Sequence, residues 1–130
     1  MSDFSDALTV TAGGMRAQAA RLRVLSENIA NTDTPGYRRK TMSFESVFAA
    51  DAPEGLIEPG RVRLDQGELS RVYDPTHPMA DGGGFYEGSN VNLLVEIADA
   101  REASRSYEAN LKMFDQLRRM SGALMDLLRR

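Results

Sequence analysis

Apolar residues recur every seven positions from the first residue of the chain: Met1, Leu8, Met15, Leu22 and Ile29. Seven residues bring an α-helix back to nearly the same side after two turns, so these five form one stripe, joined on the same flank by Phe4, Ala12, Ala19 and Leu25. The spacing predicts an amphipathic helix over Ser5 to about Asn31 with a narrow apolar seam. Such a seam needs another helix to cover it. Gly13-Gly14 interrupt the helix interior, where each glycine costs roughly 1 kcal/mol relative to alanine. Two readings stay open for the pair, a soft joint or the close approach of a neighbouring helix.

Proline disfavours the α conformation in the residue ahead of it, which places the end of this helix just before Pro35. Thr34-Pro35-Gly36-Tyr37 then fits a type II turn, with proline presetting φ at the second position and glycine accepting a positive φ at the third.

From Tyr37 to Ser89 glycines, acidic residues and short apolar alternations replace the helical period. Arg61-Val62-Arg63-Leu64 and Glu68-Leu69-Ser70-Arg71-Val72-Tyr73 alternate as half-buried strands do, and Asp65-Gln66-Gly67 between them reads as a turn, so a small hairpin is predicted here. Asp74-Pro75-Thr76-His77-Pro78 and Asp81-Gly82-Gly83-Gly84 read as an extended, exposed connection.

A second helical period runs from about Val91 to Leu128, with Leu94, Ile97, Ala100, Ser104, Tyr107, Leu111, Phe114, Leu117, Ser121, Leu124 and Leu128 stepping by threes and fours. Asn90 or Asn92 suits its N-cap. At about 1.5 Å per residue the helix reaches on the order of 55 Å, a length suited to a bundle or filament. The fold expected is mainly α: long N- and C-terminal amphipathic helices, residues 1–34 and 90–130, form a coiled-coil-like bundle, and a small β-hairpin and loop-rich middle spans 35–89. Ala, Ser, Thr and Gln dilute both seams, so the helix ends should order fully only against neighbours.

Composition narrows the function. A net charge of -3 and a pI near 5.2 disfavour nucleic acid or an anionic membrane as the main partner, and point to protein. There are no cysteines, hence no disulfide, thiolate metal site or cysteine nucleophile. The N-terminal residues carry Asp3 and Asp6 and no apolar run of signal-peptide length, so export would have to follow a route without a Sec-type signal. His77 is the single histidine and reads as a solvated loop residue, since no second histidine or cysteine completes a metal set. Gly82-Gly83-Gly84 lacks the spacing of a dinucleotide fingerprint. Ser104, Tyr107 and Glu108 lie near one another without a base and an oxyanion site around them. Arg38-Arg39-Lys40 and Arg118-Arg119 read as solvated faces. No catalytic residue, cofactor or metal site is expected.

The run Leu25-Ser26-Glu27-Asn28-Ile29-Ala30-Asn31-Thr32-Asp33-Thr34-Pro35-Gly36-Tyr37-Arg38-Arg39 resembles the signature that flagellar rod and hook proteins carry at the end of their N-terminal helix. Its motif residues are Asn28, Ala30, Asn31, Thr34, Pro35, Gly36, Tyr37 and Arg38. Two further stretches, Arg71 to Asp81 followed by Asn90-Val91-Asn92, and Ala103 to Asn110, are similar to the FlgC type rather than to the FlgB, FlgF or FlgG types. The resemblance implies a non-enzymatic subunit of the proximal rod, exported unprocessed by the flagellar type III apparatus and assembled in the periplasm. Its implied partners are copies of itself and rod proteins of the FlgB, FlgF, FlgG and FliE types. It also implies that the terminal helices form an inner coiled-coil layer around the export channel, with the middle segment outside. The assembly seam would then comprise Leu8, Met15, Leu22, Ile29, Ile97, Tyr107, Leu111 and Phe114. A cytosolic helical adaptor or export chaperone would explain the amphipathic ends, but would not need the Pro-Gly-Tyr motif. A muralytic enzyme would need a placed acid and a nucleophile or base, which these loop carboxylates do not form.

Overall fold

The computed structural model describes residues 2–130; Met1, which opens the apolar stripe, lies outside the described residues. Two long helices, α1 (Ser2–Ala30) and α2 (Leu93–Leu128), enclose six short strands: β1 (Lys40–Thr41), β2 (Phe44–Ser46), β3 (Ile57–Pro59), β4 (Arg63–Leu64), β5 (Arg71–Tyr73) and β6 (Phe85–Glu87). The fold is mainly helical with a small antiparallel-strand middle.

The helices lie side by side and antiparallel. Asn28 meets Glu96, and fourteen residues back along α1 Gly14 meets Asn110, fourteen residues on along α2. Small side chains set this contact: Ala17 and Ala103 are fully buried, beside Val24 and Leu25. A Cβ added to Gly14 would stand 3.0 Å from the Asn110 side-chain nitrogen, and one added to Gly13 would stand 2.6 Å from Leu56 Cδ1. The glycine pair thus serves close approach, by α2 on one side and by the chain entering β3 on the other, while α1 runs through it unbroken.

Helix α1 stops at Ala30, short of Pro35. Side chains join the backbone at its end: the Glu27 carbonyl accepts from both the amide and the side chain of Asn31, at 3.1 and 2.8 Å, and the Ile29 carbonyl accepts the Thr32 hydroxyl at 2.9 Å, local bonds of the kind that favour a helix terminus. The chain then reverses through Thr34–Tyr37, where the Tyr37 amide donates to the Thr34 carbonyl at 3.2 Å and Gly36 takes φ +73°, the geometry of a type II turn. At the far end Asn92 caps α2, its side chain accepting from the Val95 amide.

The strands pair differently from the sequence expectation. β4 pairs with β1 and β3 with β2, a two-tier hairpin, whereas β5 pairs with β6. The predicted hairpin joining Arg61–Leu64 to Glu68–Tyr73 does not form. Its turn does, since Asp65 Oδ1 accepts the Gly67 amide at 2.8 Å, but the flanking segments take partners farther along the chain. Between the tiers, two residues, Met42 and Ser43, oppose three, Gly60, Arg61 and Val62, a bulge on the return side. Gly60 accommodates it, because a Cβ there would fall 2.6 Å from the Ser43 carbonyl oxygen.

The stretches expected to form an extended connection instead close the β5–β6 hairpin. Asp74 Oδ1 accepts from the Thr76 amide and hydroxyl, and Asp81 Oδ1 accepts from the Gly83 and Phe85 amides at 2.9 and 3.1 Å. His77 is not a solvated loop side chain: it is half-buried within the hairpin, stacked on Tyr86 with ring centroids 3.9 Å apart. Among the described residues no helix is long and apolar enough to cross a membrane.

Candidate functional site: the junction motif and the helix faces

Asn28 sits in the last turns of α1 and is fully buried. Its Nδ2 donates to the Lys40 carbonyl at 2.9 Å and to Glu96 Oε2 at 3.4 Å, while its Oδ1 accepts from the Lys40 amide and the Tyr37 hydroxyl, each at 2.9 Å. The full donor and acceptor capacity of the amide is used. Asn28 thereby pairs with the Lys40 backbone as a neighbouring strand residue would, and binds α1 to the turn, β1 and α2 at once.

Glu96 stands opposite, fully buried in the first turn of α2, and its carboxylate is ion-paired with the Arg39 guanidinium. A buried carboxylate requires such a partner, because desolvation otherwise disfavours the charge. Asp99 and Glu102 extend the cluster: Arg39 lies 3.9 Å from Asp99, and Arg21 lies 3.9 and 3.8 Å from Asp99 and Glu102. Lys40 reaches Glu27 at 2.6 Å, and this hydrogen bond, with the charge behind it, holds the Lys40 ammonium above its ordinary value. Burial pushes the Tyr37 hydroxyl up as well, keeping it a donor to Asn28.

The other motif positions meet around this point. Arg38 donates to the Asp65 and Gly67 carbonyls at 3.2 and 3.0 Å. The Gly36 amide is shared between the Glu87 and Gly88 carbonyls at 3.2 and 3.1 Å. Thr34 donates its hydroxyl to Asn31 Oδ1 at 3.1 Å, and Pro35 is half-buried in the turn. Ala30 is exposed and makes none of these contacts.

Reading Arg38-Arg39-Lys40 as a solvated face is therefore wrong for this chain: all three side chains are spent on internal partners. Arg119 fits the solvated description, exposed and paired with Asp115 one turn away at 3.0 Å. Sequence reasoning also missed Glu27, Ser89 and Glu96, and offered Asn90 as a helix cap, a place that Asn92 takes. Ser89 donates its hydroxyl to the Thr32 carbonyl, and Asn90 accepts from the Arg39 amide and donates to the Asp65 carbonyl at 3.1 Å. One signal was present, a lone carboxylate in the apolar run Leu93-Leu94-Val95-Glu96-Ile97.

The eight seam positions lie elsewhere. Leu8, Met15, Leu22, Ile29, Tyr107 and Phe114 are half-buried, and Ile97 and Leu111 are 36% and 47% exposed. None of the eight is buried within the chain. Ile29 and Ile97 share a groove of 390 Å³ with Ala100, while the contact that holds α1 to α2 is the smaller, more polar one described above.

The sequence profile described as flagella basal body rod protein matches residues 8–38, and that of the flagellar basal body rod FlgEFG protein C-terminal matches residues 83–127. The flagellar basal-body rod protein FlgC of Agrobacterium fabrum is 40% identical over 99% of this chain and 98% of its own length. Proteins of the same description from Aquifex aeolicus and Salmonella typhimurium are 35% and 30% identical over 88% and 85% of this chain, and 89% and 87% of their own lengths. Fold, junction and matches together define a structural subunit of the flagellar basal-body rod, not an enzyme. The chain belongs to the FlgC family of flagellar basal-body rod proteins.

Proposed function

We propose that this chain leaves the cytoplasm unprocessed through the flagellar type III apparatus and polymerises into the proximal rod in the periplasm. Its terminal helices form a coiled-coil-like inner layer around the export channel and its middle segment faces outward. Copies of itself and rod proteins of the FlgB, FlgF, FlgG and FliE types are its neighbours. The supporting observation is the division of labour between helix faces. The intrachain contact uses Gly14, Ala17, Asn28, Glu96 and Ala103, while large apolar side chains of α2 stay open, with Leu94 at 79% and Leu128 at 75% exposure. Faces of that kind call for neighbouring protein. On this reading the seam of Leu8, Met15, Leu22, Ile29, Ile97, Tyr107, Leu111 and Phe114 buries only on assembly.

The test is to isolate basal bodies from cells carrying a tagged copy and to weigh the incorporated chain by mass spectrometry. The chain should be present, with its N-terminal segment uncleaved. Recovery only from the cytosol would overturn the proposal and favour an adaptor.

A further inference from the structure

We infer that the apolar, basic end of α2 of one copy docks into a groove at the start of α1 of a second copy; this rests on the polymerisation proposed above and names one of its contacts. The antiparallel register carries the argument. With Asn28 opposite Glu96 and Gly14 opposite Asn110, Asp3 stands level with Ser121, and residues 124–128 lie beyond that level along α2. In that stretch Leu124, Leu127 and Leu128 are spaced by three and four on one helix face and are 39%, 64% and 75% exposed. Arg129 and Arg130 follow, while Asp126 falls on the opposite face.

The groove lies beside the same end of the molecule. It measures 500 Å³, has Val10 of α1 and Met113 and Leu117 of α2 in its lining, and is rimmed by Asp3, Asp6 and Glu54. All three carboxylates are exposed, and among the described residues none lies within 4.0 Å of a cation. An apolar floor with an acidic rim fits a helix end that presents three leucines and then two arginines, the pattern of a helix laid into a groove. The chain cannot fill its own groove with its own tail. Helix α2 runs unbroken to Leu128, and Arg129 stands about 12 Å farther along the axis than the level of Asp3. Charge complementarity therefore points to a second copy.

The chain contains no cysteine, so single introduced cysteines report proximity without a background. Full-length Val10→Cys protein is mixed with Leu127→Cys protein under mild oxidation, and in parallel with Leu94→Cys, an exposed site near the other end of α2. The mixed disulfide with Leu127→Cys should form roughly tenfold faster than that with Leu94→Cys. Adding Arg129→Glu and Arg130→Glu to the tail chain should slow it by roughly tenfold, and Asp3→Arg with Asp6→Arg in the groove chain should restore it, on the scale of rim charge pairs. Equal rates from the two cysteine positions, or charge reversals without effect or rescue, would overturn the contact. Entry of the chain into basal bodies in the face of those results would show that the rod assignment stands and this contact alone has failed.

Discussion

Asn28 and Glu96, sixty-eight positions apart in sequence, meet side chain to side chain at 3.4 Å with neither exposed to solvent. This contact explains why a motif at the end of α1 extends past the turn to Tyr37. Asn28 requires the Tyr37 hydroxyl and the Lys40 backbone, Glu96 requires Arg39, and both requirements are met only when the chain reverses tightly and returns across the helix pair. Helix pairing and the path of the middle segment are thus coupled through one buried amide.

Asn28→Ala leaves the Lys40 amide and carbonyl and the Tyr37 hydroxyl without their partner. It should destabilise the fold by about 3 kcal/mol, read as a lowered urea midpoint. Combined with Glu96→Ala the loss should fall short of additive by about 1 kcal/mol, because the two residues share one network. Strict additivity would mean that they act independently.

The long helices and the Thr34–Tyr37 turn were legible because their signals are local: a seven-residue period in one case, proline followed by glycine in the other. The strand partners were not. Strands of two or three residues with largely exposed faces carry almost no period, and alternation in Arg61–Leu64 says nothing about which segment lies alongside. Arg39 escaped notice for a related reason, since a basic triplet looks solvated until a buried carboxylate fifty-seven residues away is known to face it. The apolar stripe was a true feature of α1, and its flanking Leu25 is buried, but most of the residues that hold α1 to α2 are small or polar, and hydrophobic periodicity detects those poorly.

At Gly36 the requirement is conformational alone. Its φ is +73°, and an added Cβ would meet nothing within 4 Å. Gly36→Asn should therefore be tolerated and Gly36→Val should not, because a β-branched residue in the left-handed region costs about 1–2 kcal/mol or more while asparagine visits it readily. Motility together with blots of secreted protein reads the difference: valine should reduce assembly more than export. Equal behaviour of the two variants would mean that the left-handed conformation at this position is not needed.

Asp81 gives the β5–β6 hairpin a pH dependence of known sign. Hydrogen bonds from the Phe85 and Gly83 amides lower its pKa from the ordinary 3.8, aided by Arg71. A depressed carboxyl contributes stability above its unfolded pKa and loses it as pH falls through the folded value. Protection factors of the Gly83 and Phe85 amides should thus drop as pH is lowered through and below 3.8, and Asp81→Asn should abolish that drop. A pH-independent hairpin in the unmodified chain would remove the assigned role from the Asp81 carboxylate.

The seam is tested most cleanly at Leu111. Half-buried Leu22, Ile29 and Phe114 would disturb the lone chain if charged, whereas Leu111 is 47% exposed and its neighbour Lys112 is exposed too. Leu111→Glu and Lys112→Glu should each leave the stability of the isolated chain within about 0.5 kcal/mol. Their effects should part in the rod. If Leu111 packs against a neighbouring subunit, a glutamate there is desolvated without a partner at a cost of several kcal/mol per contact. Leu111→Glu protein should then be stable and exported but missing from isolated basal bodies, while Lys112→Glu should be incorporated. Complete rods with Leu111→Glu, or equal failure of both variants, would place the assembly contact on another face of α2.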